Sequence, residues 1–339
     1  MGRPGQVTAR RNPLATAFVT GATGCLGIHL VGELLATGWR VLAMHRATSR
    51  LDDLAALPAE RVVGDVTDLD SVVRAMPAGV DAVFNVAGDN TLWARNEGRK
   101  RRVHVDGTHN VVQAALERGA RRFVQTSSAG AFGEHRGRVT EATPTNAASS
   151  RLATFRTKWE GEQEVRRGVE RGLDAVILNP ALFSGPHDRH ACSRFFLLVR
   201  DGKLPLAPSG RCSWAHVREV ARAHIAAARV GRSGENYILA GADATWVEVL
   251  RIVGELVGRP GPRRTMPPWV LRGLGRAMNL ASFVTRREPA ITPEGAEVLV
   301  SEALFDCTKA VRELGYRPAP LREILEDVHR WMLAAGLLS

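Results

Sequence analysis

Glycines at 21, 24 and 27 in the run Thr20-Gly21-Ala22-Thr23-Gly24-Cys25-Leu26-Gly27 are the first residues whose spacing points to chemistry. A short apolar run, Ala17–Thr20, precedes them, and the helical pattern Leu26, Leu30, Leu34, Leu35 comes after. Missing side chains at a strand-turn-helix junction let backbone N–H groups close on a pyrophosphate at the positive end of the helix. Turns and tight packing also select glycine, so the flanking strand and helix are what give the pattern its meaning. Gly21, Thr23, Gly24, Cys25, Leu26 and Gly27 are therefore the expected pyrophosphate contacts of a nicotinamide dinucleotide.

The next strand ends in His45-Arg46-Ala47-Thr48-Ser49-Arg50. An acidic side chain here would hold the adenosine ribose of NAD, and none is present. Arg46, with Ser49 and Arg50, offers positive charge and donors to a 2′-phosphate, which favours NADP over NAD. A surface arginine in an arginine-rich chain is the plainer alternative. Asp65 and Val66 follow the third strand, where they are expected at the adenine ring. Val86, Ala87 and Gly88 follow the fourth and are expected to line the cofactor.

The elements that must position these residues alternate. Arg40–Met44, Arg61–Val63, Asp81–Val86, Arg122–Thr126 and Ala175–Leu178 read as strands. Asp68–Met76, Val103–Arg118 and about 149–171 read as helices. Short β-branched runs alternating with helices predict an α/β fold, a doubly wound parallel sheet covered on both faces. After Pro180 prolines punctuate shorter elements, as in a smaller C-terminal substrate lobe. The division expected is a disordered basic leader over 1–16, a Rossmann core over 17–180 and mainly lobe over 181–339, with some segments returning to the core. Pro267–Val284 reads as an amphipathic lid or lobe helix, with membrane-surface contact as the lesser alternative.

The 339 residues are 45% hydrophobic, enough for a sizeable core. No stretch is long and apolar enough to span a bilayer, and no signal-peptide run succeeds the basic start, so a cytoplasmic protein is expected. Cys25, Cys192, Cys212 and Cys307 lie far apart without metal-ligand spacing; reduced thiols and no metal are expected. A net charge of +11 raises the question of nucleic acid. The densest cluster, Arg99-Lys100-Arg101-Arg102, reads instead as a solvated helix face, and no aromatic residues interleave the basic ones.

At this point the chain resembles the extended short-chain dehydrogenase/reductase family, in its dihydroflavonol-reductase-like and NAD-dependent epimerase/dehydratase branch. The likeness runs from about Thr16 to Trp331. TGATGCLG, GDVTD (64–68), VHVDGT (103–108), QTSSAGAFG (125–133) and NPALFSGP (179–186) carry it, with AHVREVARAH (215–224), GENYIL (234–239) and FDCTKAVRELGYRP (305–318) further along. The resemblance implies a small-molecule substrate and a homodimer through the helix bearing Lys158, with secondary metabolism as a setting. It implies Ser128 as the hydroxyl that polarises the substrate oxygen and Lys158 as the lysine of the cofactor ribose. Asn179, Pro180 and Ala181 would approach the carboxamide side of the nicotinamide.

Four residues before that lysine such enzymes carry a tyrosine that gives or takes the proton; here Thr154 stands there. The chain has two tyrosines, Tyr237 and Tyr316, both in C-terminal segments. A phenol titrates near 10 and is tuned downward by an ammonium, whereas an aliphatic hydroxyl is far less acidic and shorter. Three readings are open: a redox enzyme with another acid or a water relay, a non-redox dehydratase, cyclase or isomerase retaining its nucleotide, or an inactive ligand- or partner-binding protein. Thr154 with a bound water, His187 and His190 are the candidate substitutes, histidine because it titrates near neutrality. His135, His216 and Cys192 stand nearby in the same layout. Phe195, Phe196, Leu197, Leu198, Trp214 and Trp93 read as either a substrate wall or core, and His104 occupies a position where many relatives have asparagine.

Overall fold

β-Branched and apolar runs bounded by glycine set the strand spacing that the computed structural model shows; it describes residues 15–189 and 191–338. In chain order, β1 (Thr16–Thr20), α1 (Cys25–Ala36), β2 (Arg40–His45), α2 (Asp52–Ala55), β3 (Glu60–Val63), α3 (Leu69–Ala75) and β4 (Ala82–Asn85) form the first half of the core. α4 (Glu97–Arg101), α5 (Gly107–Glu117), β5 (Phe123–Thr126), β6 (Gly137–Val139), α6 (Ala153–Glu170) and β7 (Ala175–Pro180) complete the second half. Next come β8 (Leu182–Ser184), α7 (Cys192–Arg200), β9 (Arg211–His216), α8 (Val217–Val230), β10 (Asn236–Leu239) and β11 (Ala242–Thr245). The chain ends through α9 (Trp246–Leu256), α10 (Pro268–Thr285), α11 (Pro293–Val300), β12 (Ala303–Phe305), α12 (Thr308–Leu314) and α13 (Leu321–Ala334).

Among the described residues the main sheet runs β10-β7-β5-β4-β1-β2-β3, every neighbouring pair parallel. From β1 the chain moves outward to β3, then returns to β4 on the other side. That reversal opens a crevice at the carboxyl ends of β1 and β4, where ligands bind in folds of this kind. Apolar clusters cover both faces: Leu30, Leu34, Val220 and Leu239 on one, Val72, Val111, Val112 and Val165 on the other. The fold is the expected doubly wound sheet. β10 is a segment from beyond Pro180 that returns to its edge.

The lobe has its own core. β8, β9 and β11 form a small sheet, and Phe196, Trp214, Trp246, Leu250 and Leu325 pack around it. Trp214 and Phe196 are fully buried there and belong to packing, not to a substrate wall. The expected lobe helix is α10, which leaves Trp269, Leu280, Phe283 and Val284 exposed. No helix of the described residues is long and apolar enough to cross a membrane.

Four expectations need correction. The leader boundary is too long: Thr16 opens β1, its N–H donating to Asp81 Oδ2 at 2.8 Å, while residues 1–14 lie outside the described residues. The helix expected from Ser149 starts at Ala153, because a short 3₁₀ turn occupies Ala147–Ser149. The helix expected over Val103–Arg118 starts earlier, at Glu97, and contains a wide π turn at Arg102–Asp106. The basic cluster is not a solvated face throughout, since Lys100 is fully buried. A π turn inserts one residue and rotates the helix beyond it; such turns occur often at functional sites.

Candidate active site

The glycine turn is built by sterics. Gly21 has φ +63°, and a Cβ there would lie 2.7 Å from the Ala87 nitrogen. A Cβ on Gly27 would lie 2.2 Å from the Gly21 carbonyl oxygen, so helix and strand close only over glycine. Gly24 caps α1 without any side-chain hydrogen bond, and no acidic residue sits in the first turn. The helix therefore presents free N–H groups and its positive dipole end to the crevice, which fits a pyrophosphate. Thr20 ties the turn to β4: its Oγ1 accepts from the Val86 and Ala87 N–H groups and donates to Asn85 Oδ1 at 2.7 Å. Thr23 is half-buried and Leu26 buried beneath the turn. The Cys25 thiol donates to the Pro186 carbonyl at 3.4 Å, and burial raises its pKa, so it is a neutral packing group.

At the end of β2, Arg46 is exposed and its guanidinium has no partner among the described residues. Its backbone N–H donates to Ser49 Oγ at 3.1 Å and its carbonyl accepts from the Ser49 N–H, which holds a tight turn. Arg50 pairs with Asp52. Of the three expected phosphate ligands, Arg46 is the cation left free. The Asp65 carboxylate accepts from the Thr67 N–H and hydroxyl, while Val66 is buried under Gly107.

Ser128 follows β5 and starts a 3₁₀ turn, its Oγ accepting from the Gly130 N–H at 3.1 Å. α6 brings Lys158 to the same end of the sheet. Lys158 Nζ donates to the Thr126 carbonyl at 3.2 Å and lies 3.5 Å from where a Cβ on Gly88 would sit. Burial lowers the Lys158 pKa to about 8, the Glu162 carboxylate one turn on opposing that shift. Behind Ser128 a buried polar network fixes the loop. Glu162 Oε1 accepts from Ser127 Oγ and from Asn179 Nδ2, and Oε2 accepts from Asn236 Nδ2 at 3.1 Å. Asn179 Nδ2 also donates to the Ser128 carbonyl at 3.0 Å. The Asn179 side chain is thus turned into the network; Pro180 beside it is buried and Ala181 half-buried.

His104, in the π turn, joins α5 to this centre. Its Nε2 accepts from the Asp89 N–H at 2.9 Å, so its proton sits on Nδ1 and is donated to Thr157 Oγ1 at 2.9 Å. Thr157 passes its own proton to the Ala153 carbonyl at 2.8 Å. Burial, then the nearby Lys158 and Lys100 charges, hold the His104 pKa down at about 2 against the pull of Asp89. The ring is neutral at ordinary pH and positions α6.

Where a tyrosine was expected, three side chains meet. Lys100 Nζ donates to Thr154 Oγ1 and to Glu294 Oε2, each at 2.9 Å. Glu294 Oε1 accepts from the Thr154 N–H at 2.8 Å and so caps α6, whose N-cap Leu152 offers no side-chain acceptor. Glu294 arrives on α11, which Thr292 starts by accepting from the Gly295 N–H. Lys100 is fully buried and the Glu294 side chain 9% exposed, while Thr154 Oγ1 stays on a half-buried residue. The Phe155 ring packs against Gly130 beside Ser128, where a Cβ would lie 2.4 Å from Cδ1.

The histidines expected as substitutes are not gathered there. His187 Nδ1 lies 3.2 Å from Asp53 Oδ1, and its ring meets those of His29 and Trp331. Asp53 follows β2, across β1 and β4 from the Ser128 strand, so His187 is turned to the other half of the crevice. His187 has φ +65°, a left-handed backbone uncommon outside glycine. His190 lies outside the described residues. His216 is buried against Asp327, and His135 bonds the Phe132 carbonyl. Cys192 is buried, its N–H donating to Asp188, with burial raising the thiol pKa. Thr154 and Lys158 lie one turn apart on α6, and Lys158 reaches the Thr126 carbonyl just before Ser128; Lys100, Glu294 and Glu162 are neighbours of these residues that sequence reasoning missed. Lys100 lies one helical turn before His104, a spacing that places both on one face, whereas nothing in the sequence links Glu294 to Thr154.

Residues 17–240 match the family model described as NAD dependent epimerase/dehydratase family. The chain is 32% identical to sterol demethylase protein B of Methylococcus capsulatus, over 95% of this chain and 100% of that protein. It is 28% identical to 2-alkyl-3-oxoalkanoate reductase of Shewanella oneidensis, over 88% of this chain and 81% of the other. The crystal structure of gox2253 superposes with a TM-score of 0.83 at 30% identity, covering 96% of this chain and all of that one.

Proposed function

The chain belongs to the NAD dependent epimerase/dehydratase family, and from that premise we propose an NADP(H)-dependent oxidoreductase. It reduces or oxidises a carbonyl or hydroxyl group of a medium-sized, partly apolar metabolite, with a proton donor other than tyrosine. The observation that supports this reading is Lys158 Nζ bonded to the Thr126 carbonyl, two residues before Ser128, at the carboxyl end of the sheet that also carries the uncapped α1. The names of the two relatives above support a partly apolar substrate: one contains a sterol, the other an oxoalkanoate that is reduced.

Gly21, Gly24 and Gly27 would hold the pyrophosphate, Arg46 the 2′-phosphate, Val66 the adenine and Lys158 the nicotinamide ribose. The bound nucleotide would supply or accept hydride. Ser128 Oγ, already accepting from the Gly130 N–H, keeps its own proton to donate to the substrate oxygen and polarise it. Lys158, with its pKa lowered to about 8, carries positive charge at neutral pH and favours negative charge on that oxygen. The neutral His104 and the Glu162 network hold the two in place. The family's epimerases and dehydratases make a non-redox reaction the second reading, favoured by the absence of a phenol at Thr154. A cytoplasmic setting and a homodimer through α6 complete the proposal, supported by four unpaired thiols for the first and by family analogy for the second.

Stereospecific transfer of deuteride from C4-labelled NADPH to product tests the redox reading. Product formed without label contradicts it and favours the non-redox one.

A further inference from the structure

We propose that Lys100 is the proton source of this site, acting through the Thr154 hydroxyl. The inference rests on the oxidoreductase reading above and names the donor that reading leaves open.

A buried lysine is costly unless it is paired and hydrogen-bonded. Lys100 ends 2.9 Å from Thr154 Oγ1, the hydroxyl at the position four residues before Lys158. Residues four apart share one helix face, so Thr154 and Lys158 point the same way. Lys100 and Lys158 also both bear on the same imidazole, His104, from their separate helices. The Glu294 carboxylate, 2.9 Å from Nζ, fixes the direction of the lysine side chain. Its second oxygen is spent on the Thr154 N–H, which holds the threonine in the same frame. With Lys100 donating to it, Thr154 Oγ1 keeps its own proton free to donate towards the half-buried side.

During reduction the substrate carbon gains a hydride with its electron pair, and the carbon–oxygen π pair moves onto oxygen. That oxygen takes the proton of Thr154 Oγ1. In the same motion Oγ1 takes a proton from Lys100 Nζ, so no free alkoxide forms on threonine. Lys100 is left neutral beside Glu294 and regains a proton from solvent through Thr154 once product has left.

The test uses the full-length protein, C4-deuterated NADPH and 1-phenylpropane-1,2-dione as an activated ketone. Thr154→Val removes the hydroxyl and leaves the Lys100–Glu294 pair, Lys100→Arg keeps a cation that cannot give up its proton, and Thr154→Ser keeps the hydroxyl. Thr154→Val and Lys100→Arg are each expected to slow single-turnover reduction by about 100-fold or more. Thr154→Ser is expected to stay within about tenfold of wild type. NADPH affinity, read by fluorescence, should change less than about threefold in all three, an effect below 1 kcal/mol. Adding Thr154→Tyr to Lys100→Met should restore reduction by supplying a phenol. Thr154→Val reducing the dione at the wild-type rate overturns the relay alone. A wild-type protein that transfers no deuteride to the dione removes the relay and the oxidoreductase reading together.

Discussion

Lys100→Met tests whether the buried pair is as isolated from water as its geometry implies. The lysine side chain is 0% exposed and the Glu294 side chain 9% exposed, with 2.9 Å between Nζ and Oε2. Removing the ammonium leaves a buried carboxylate supported by one backbone donor, the Thr154 N–H. A buried ion pair broken on one side costs about 3–5 kcal/mol, against about 0–1 for an exposed pair. For a chain of this length that corresponds to a fall in Tm of roughly 4–7 °C. Glu294→Leu should cost a similar amount, with about 1 kcal/mol of it from the lost cap on α6. In the double variant two apolar side chains replace the pair, and only the cap and any packing mismatch, about 1–2 kcal/mol, remain. Urea unfolding of the three variants without cofactor, monitored by circular dichroism, measures the cycle. Single effects below 1 kcal/mol that simply add would show a hydrated pair instead of an isolated one.

Arg46→Ala should weaken NADPH about 10- to 100-fold, the loss of one or two charge-assisted hydrogen bonds, while NADH binding is nearly unchanged; equal weakening of both in fluorescence titrations would remove the 2′-phosphate assignment. Gly27→Ala forces a methyl to 2.2 Å from the Gly21 carbonyl oxygen, so it should abolish nucleotide binding or shift the Tm down by several degrees; unchanged binding in calorimetry would show that the turn is not the site. Acid should destabilise the protein through His104 and His224, whose pKa values burial holds down at about 2 and about 4. The unfolded chain takes up both protons below about pH 6.5, while in the native state His224 does so only near pH 4 and His104 lower still, so their contribution to stability falls as pH drops, by roughly 2 kcal/mol per pH unit between about 6 and 4. Urea midpoints of wild type and His104→Asn over that range should differ in slope by about half of this; equal slopes would mean His104 is charged in the native state.

The half of the molecule governed by local rules was legible. Strand-turn-helix order, the glycine spacing and the bare Arg46 arise from short-range sterics and charge, and the structure reproduces the sheet they predict. The family resemblance singled out Ser128 and Lys158, and the structure sets them at the end of β5 and on α6. Lys100 was visible only as one of four consecutive basic residues, and a surface reading suits Arg99, Arg101 and Arg102, whose side chains find acidic neighbours or solvent. Its partner is a carboxylate 194 residues away, which leaves no trace near Lys100 in the sequence; the four-residue step to His104 is the one local signal. The same holds for Glu162, whose partners Ser127, Asn179 and Asn236 come from three strand ends. His187 misled because the Gly185-Pro186 turn carries it towards Asp53, a direction set by a left-handed backbone that the sequence does not announce.

A crystal structure of the full-length protein with NADP bound would show the cofactor and the proton donor together. The pyrophosphate is expected on the N–H groups between Gly21 and Gly27, the 2′-phosphate on Arg46, and the nicotinamide between Ser128 and Lys158. The Thr154 hydroxyl, still bonded to Lys100, is expected to face the substrate space above the ring. A nucleotide seated elsewhere, or a Thr154 hydroxyl turned away from that space with Lys100 released to solvent, would contradict both assignments.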